Sequence, residues 1–204
     1  MWKDSAPNVL AALSDAQLVH RYLAGDHEAF NHLLHRWEKR IYNFTLRHSG
    51  RREDAQDLLQ EIFTSVSQKL GDLREAERFG PWLYKIALNH CRMRFRSEQG
   101  RAAISLEDIE PDGSADQVKW GPSPQHAQDP EQIAQRGQKL QCLREAIAAL
   151  PEEQRVVILL KEYEGLKFHE IAEILECPLS TVKSRLYLGF RAIRGFLEKK
   201  GIQP

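Results

Sequence analysis

The sequence predicts an all-α protein: two small helical domains joined by a flexible acidic linker, with a helix-turn-helix as the C-terminal domain. Three observations carry that prediction. Apolar residues recur at three- and four-residue steps in both halves, which places them on one face of a helix. No run alternates with period two, the mark of a half-buried strand. Charge and helix breakers gather in the middle, where residues 100–135 hold 2 basic and 7 acidic side chains together with Pro111, Pro122, Pro124, Pro130, Gly113 and Gly121. The flanks are mildly basic, a net of +2 over residues 1–99 and +3 over 136–204.

The first half reads as a series of helices. Ala16 to Leu23 and Glu28 to Leu46 share the helical period and are separated by Gly25-Asp26. From Asp54 to Leu70, Ala55, Leu58, Leu59, Ile62, Phe63, Val66 and Leu70 form an apolar stripe, and Asp54, Asp57, Gln60, Glu61 and Gln68 face away from it. Trp82 to Phe95 gives another helix, with Pro81 just ahead of its first turn, where a missing N–H costs nothing. Around it aromatic residues interleave with Arg74, Arg78, Arg92, Arg94 and Arg96. Such a mixture suits stacking of single-stranded bases, while Phe79, Trp82 and Ile86 at helical spacing also fit a core. Residues 100–130 have too little apolar surface to offset the entropy of ordering, and read as a linker; a long surface loop is the alternative.

The second half begins at Leu150-Pro151, followed by a helix from Glu152 to Tyr163 that ends near Gly165, a residue suited to a left-handed cap. Leu166 to Leu175 is then followed by a break at Glu176-Cys177-Pro178 and a long helix from about Leu179 to Lys200, with Val182, Leu186, Phe190, Ile193 and Leu197 as its inward stripe. This is helix-turn-helix spacing. Ala172 lets the helices approach, and Val182, ten positions on, packs between them. Glu176 stands where the turn wants glycine, so a left-handed backbone there costs around 1–2 kcal/mol. The second helix opens with Ser180, Thr181, Lys183, Ser184 and Arg185, short polar and basic groups that reach base edges or phosphates when a helix lies in a major groove. An ordinary helical hairpin with a solvated basic face is the competing reading.

Composition excludes several classes. With 42% hydrophobic and 28% charged residues among 204, the mix is that of a globular protein. Balanced totals of 29 basic and 29 acidic side chains leave nucleic-acid binding open. Apolar runs such as Val156 to Leu160 fall far short of the ~20 residues of a membrane span, so no membrane insertion is expected. The first residues lack a basic-then-apolar leader pattern, which argues against secretion. Cys91, Cys142 and Cys177 are odd in number and never paired as C-x-x-C, favouring reduced, mostly buried thiols in a cytoplasmic protein. There is no G-x-x-x-x-G-K, G-x-S-x-G or H-E-x-x-H motif. His32 with His35, and His90 beside Cys91, lack a third ligand at metal spacing. No catalytic residue, metal or cofactor is therefore expected.

Taken together, three motifs in this order resemble the extracytoplasmic-function (ECF) sigma factors, in the sigma-70 family of bacterial RNA polymerase. They are Asp54-Ala55-Gln56-Asp57-Leu58-Leu59-Gln60-Glu61-Ile62-Phe63, then Phe79-Gly80-Pro81-Trp82-Leu83-Tyr84-Lys85-Ile86-Ala87-Leu88-Asn89, then Leu150-Pro151-Glu152-Glu153-Gln154-Arg155 with the helix-turn-helix. The resemblance covers roughly residues 14–97 and 136–200 and implies domains at 1–99 (region 2) and 136–204 (region 4) around a linker at 100–135. It implies an alternative sigma factor of the bacterial cytoplasm, without the extra domains of housekeeping sigma factors, acting in stress-responsive transcription. Asp54, Asp57, Gln60 and Glu61 would dock on the β′ clamp helices of core RNA polymerase. Leu73, Arg74, Glu75, Ala76 and Glu77 would receive a base flipped from the melted −10 element, with Trp82, Lys85, Asn89 and Arg92 along the same strand. Ser180, Thr181, Lys183, Ser184, Arg185 and Tyr187 would read the −35 duplex beside the β flap. An anti-sigma factor would mask these faces, and the linker would lie near the RNA path.

Two departures from the family pattern stand out: Met93 where an aspartate is common, with Arg92, Arg94 and Arg96 adding charge that favours DNA, and Leu188 and Phe190 where basic residues are common. Phe190 fits the core stripe. A two-domain helix-turn-helix regulator working without polymerase is the rival function, and a protein-interaction adaptor a third. Neither has a use for the docking helix or the base-capture loop.

Overall fold

The computed structural model describes residues 9–102 and 130–202, with side chains described for 10–96 and 137–202. Every regular element among them is a helix. The linker expected at 100–135 lies mostly outside the described residues. Two compact units result, the first centred on four helices and the second on the C-terminal ones.

In the first unit a short α1 (Val9–Ala12) leads into α2 (Asp15–Leu23). Ser14 caps α2 reciprocally with Gln17: Gln17 N–H donates to Ser14 Oγ at 3.2 Å and Ser14 N–H to Gln17 Oε1 at 2.9 Å. Gly25, at φ +100°, turns the chain between α2 and α3 (His27–Ser49). Asp26 caps α3 by accepting from the N–H groups of Glu28 and Ala29. Helix α4 (Arg52–Lys69) packs against α3, as α2 does.

Helix α5 (Phe79–Ala102) starts three residues earlier than its periodicity predicts, so Pro81 lies inside the first turn. There its absent N–H is still no loss. An aromatic cluster binds α3 to α5: Trp37 meets Phe79 and Tyr84 edge-on with ring centroids 5.8 Å apart in both pairs, and Phe44 meets Tyr84 at 5.4 Å. The Trp37 indole N–H donates to Asp15 Oδ2 at 3.0 Å, and Arg36 pairs with the other oxygen at 2.7 Å. Leu18, Leu33, Ile41, Leu58, Ile62 and Leu88 complete this core.

The second unit contains α6 (Pro130–Ala148), α7 (Glu152–Ile158), α8 (Phe168–Leu175) and α9 (Leu179–Lys199). The helix expected over Glu152–Tyr163 changes character after Ile158: Leu159–Tyr163 is a π turn, closed by Gly165 at φ +71°. Both α6 and α7 pack on α9. The inward row of α9 is Val182, Leu186, Gly189 and Ile193, at steps of four, three and four. Phe190, expected in that row, is instead 43% exposed. The reason is steric: a Cβ on Gly189 would stand 2.7 Å from Ile158 Cδ1, so the Ile158 side chain of α7 fills the space that the missing side chain leaves on α9. The expectation for the thiols holds in part, since Cys91 is buried but Cys142 and Cys177 are only half-buried.

Candidate nucleic-acid interface

The helix-turn-helix turn supplies the backbone signature anticipated from its sequence. Glu176 has φ +51°, and among the described residues other than glycine none else has a positive φ. Cys177 N–H closes the turn onto Ala172 C=O at 3.1 Å. Val182 is fully buried. These features aim the N-terminal half of α9 outward, and the helical period then sorts its side chains.

Ser180, Ser184 and Tyr187 lie on one exposed row, with Tyr187 73% exposed, and the row continues through Arg191 and Arg194. Those two arginines are site candidates that attention to the helix start alone misses; steps of four, three, four and three from Ser180 find them. Lys183 flanks the row, its Nζ 5.8 Å from the Phe168 ring centroid. Thr181 and Arg185 are half-buried at the sides. Arg185 Nη2 pairs with Glu153 Oε2 at 2.7 Å, and Nη1 lies 3.7 Å from Cys177 Sγ. A contact between Arg185 and DNA therefore competes with this pairing to α7.

On α5, Trp82, Lys85, Asn89 and Arg92 fall at steps of three, four and three, a single outward row that Arg96 extends. The row lies opposite the buried Leu83, Ala87 and Cys91. Phe79 belongs to the core, while Trp82 and Ile86 are only half-buried. That division answers the question left open by their spacing. Arg40, on α3, stacks its guanidinium 4.4 Å from the Trp37 ring centroid and 5.9 Å from that of Tyr84.

The segment before α5 forms two tight turns, Leu70–Asp72 and Ala76–Arg78. Arg74, Glu75 and Glu77 are exposed and Leu73 is half-buried. Ala76 is 6% exposed, its methyl group part of the core, as the Ala76–Arg78 turn packs on α2.

Along α4, Asp57, Gln60 and Glu61 are exposed as expected, but Asp54 is only 9% exposed. It stands one helical step of four before Leu58 and two before Ile62, so it shares their inward face. Its charge is met by Arg51 Nε and Arg94 Nη1, each 3.6 Å away. Arg94 also departs from the DNA-facing role its charge suggested. Its guanidinium turns to α4, with Nη2 2.8 Å from Glu61 Oε1 and Nη1 3.7 Å from Asp57 Oδ2. Partial burial opposes its charge, yet the hydrogen bond it donates to Glu61 and the fields of Glu61, Asp54 and Asp57 prevail and raise its pKa above the ordinary arginine value. His90 joins from α5, with Nδ1 3.4 Å from Glu61 Oε2 and Nε2 2.8 Å from Ser65 Oγ. Leu59 and Phe63, expected in the buried stripe, are half-buried and line a shallow groove of about 650 Å³ between α3 and α4.

Two family models match the chain: sigma-70 region 2 over residues 33–101 and sigma-70 region 4 over residues 140–193. The RNA polymerase sigma-H factor of Pseudomonas aeruginosa is 31% identical over 199 residues, covering 96% of this chain and 97% of the relative. The ECF RNA polymerase sigma-E factor of Escherichia coli K12 is 33% identical over 190 residues, covering 89% and 93%. Among solved structures, the Bartonella quintana sigma factor RpoE, in complex with the anti-sigma factor NepR, has the same fold. Its TM-score is 0.61 at 21% identity, over 83% of this chain and 96% of that one.

Proposed function

Since the chain belongs to the ECF sigma factors of the sigma-70 family, alternative sigma factors that direct promoter-specific transcription by core RNA polymerase, we propose that its two units divide promoter recognition between them. The first, residues 1–99, docks on the β′ clamp helices through Asp57, Gln60 and Glu61 of α4, with Asp54 contributing from below the surface. The same unit holds the melted −10 strand along Trp82, Lys85, Asn89 and Arg92 of α5, and takes a flipped base at Leu73–Glu77. Melting is then driven by binding, because capturing an extruded base offsets the few kcal/mol of its unstacking.

The second unit, residues 136–204, reads the −35 element as duplex beside the β flap. Ser180, Ser184 and Tyr187 face the groove floor, Lys183, Arg191 and Arg194 meet phosphates, and Thr181 and Arg185 reach in from the flank. An anti-sigma factor restrains the protein in the bacterial cytoplasm, a reading supported by the partner in the Bartonella quintana complex. Such a protein acts by binding and needs no catalytic residue, metal or cofactor.

The observation that carries this reading is the pair of outward rows, on α5 and α9, each opposite the buried face of its own helix. A regulator acting without polymerase would use the second row alone. The test is binding to separate DNA forms: Asn89→Ala should weaken capture of the single-stranded −10 element and leave −35 duplex affinity intact, and Tyr187→Ala the reverse. Equal losses on both DNAs from either variant would contradict the division.

A further inference from the structure

The three carboxylates of the α4 face stand at positions 54, 57 and 61, steps of three and four that bring like charges together on one side of a helix. Left to themselves they would repel and splay. One guanidinium is inserted among all three: Arg94, from the neighbouring helix α5, lies 2.8 Å from Glu61, 3.6 Å from Asp54 and 3.7 Å from Asp57. Its side chain is 26% exposed, against 48% for Glu61 and 65% for Asp57. Asp54, with a side chain 13% exposed, and the cation are thus the inner members of the cluster, and Glu61 and Asp57 the outer ones.

We propose that Arg94 is a positioning residue for polymerase docking, a bracket from α5 that fixes Glu61 and Asp57 in the orientation a basic surface of the polymerase engages. The inference rests on the docking role assigned to α4 above. A planar guanidinium with several donors can serve carboxylates on separate helical turns at once, which a lysine ammonium on a flexible stem does less well. His90, 3.4 Å from the second oxygen of Glu61, restricts the same carboxylate from its other side. Each carboxylate retains further acceptor capacity for an incoming cation, so docking adds partners without dismantling the cluster. Arg94 also lies on the opposite side of α5 from the row formed by Trp82, Lys85, Asn89 and Arg92, the row assigned above to the −10 strand.

The two electrostatic possibilities have opposite signs. If bulk charge governed docking, removing a cation from an acidic face would tighten binding to a basic partner. If positioning governs it, removal weakens binding although the face becomes more acidic. The experiment measures the affinity of the full-length protein for core RNA polymerase by competition at two salt concentrations, for wild type, Arg94→Gln, Arg94→Lys, Glu61→Gln and the double variant Arg94→Gln/Glu61→Gln. Positioning predicts about tenfold weaker binding for Arg94→Gln, an intermediate loss for Arg94→Lys, and little further loss when Arg94→Gln is added to Glu61→Gln. Binding of the single-stranded −10 element stays unchanged in every variant. Wild-type or tighter polymerase binding by Arg94→Gln would overturn the proposal, as would full additivity with Glu61→Gln. If Glu61→Gln itself binds like wild type, the docking role of α4 fails instead. Should Arg94→Gln not fold, Arg94→Lys with its melting temperature decides: wild-type affinity in a folded Arg94→Lys protein refutes the need for the fork.

Discussion

Gly189→Ala puts a number on the contact that orients α9. The new Cβ would lie 2.7 Å from Ile158 Cδ1 and 3.4 Å from its Cγ1, with Gln154 Cβ at 3.6 Å. Carbon atoms rest at about 3.5–4.0 Å, so Ile158, itself buried, must move by most of an ångström. Forcing a methyl into a packed interior costs about 1–3 kcal/mol. Alanine in place of glycine in a helix returns about 1 kcal/mol, leaving a net loss of about 0–2 kcal/mol. Gly195 is the internal control, on the same helix but with nothing within 4 Å of its Cβ position. Gly195→Ala should therefore stabilise by about 1 kcal/mol, and the gap between the two variants isolates the clash at about 1–3 kcal/mol. Hydrogen-exchange protection of α7 and α9 amides reads it directly, as about one order of magnitude or more between the variants. In an Ile158→Val background, which deletes Cδ1, the penalty of Gly189→Ala should shrink. Equal stabilisation by both alanines would refute the close approach of α7 and α9.

Four further outcomes follow from the same geometry. Lys183→Ala should weaken −35 duplex binding and lower the slope of log affinity against log salt by about 1, measured by titration at several salt concentrations. Arg185→Ala should reduce −35-dependent initiation in run-off assays while polymerase binding persists; losing both together would refute the separation of roles. Asp57→Arg should abolish association with core polymerase at an unchanged melting temperature, since the side chain is exposed; an insoluble variant would show that this face belongs to the core. Asp26 has a pKa below the usual carboxylate range: slight burial opposes the charge, but the Ala29 N–H, the Arg21 ion pair and the Glu28 N–H outweigh it. A depressed folded-state pKa stabilises above the unfolded value and is lost as pH falls through the folded one. The melting-temperature advantage of wild type over Asp26→Asn should accordingly begin to shrink on acidification below roughly pH 4 and disappear once the pH passes the lowered folded-state value. An advantage that persists in acid would contradict the ion-pair and capping account.

What the sequence made legible was whatever depends on period and local backbone chemistry. Ala55, Leu58, Ile62, Val66 and Leu70 of the α4 stripe, the break at Gly25-Asp26, the capped end at Gly165 and the left-handed Glu176 are all of this kind. What it concealed depends on neighbours distant along the chain. Asp54 looks solvated because it is an aspartate, and Arg94, forty residues on, joins Arg51 in making its burial tolerable. Phe190 looked inward because it is apolar and falls close to the inward period. The true inward residue is its neighbour Gly189, chosen by the space that Ile158 leaves. Arg94 looked like a DNA contact because it sits among arginines, yet the helical period separates it from Arg92 and Arg96 and turns it to α4. The rows on α5 and α9 are partly visible in the sequence; Arg96 extends the first because α5 runs past Phe95, and Arg191 and Arg194 extend the second once the period is followed beyond the helix start.

The central claim is that this chain brings core polymerase to a defined start. Run-off transcription with core enzyme, the purified protein and a library of promoter sequences tests it most directly. The expected result is transcripts with one 5′ end per active template, dependent on both the −10 and the −35 elements and lost with Asn89→Ala or Tyr187→Ala. Random initiation indistinguishable from core enzyme alone would contradict it.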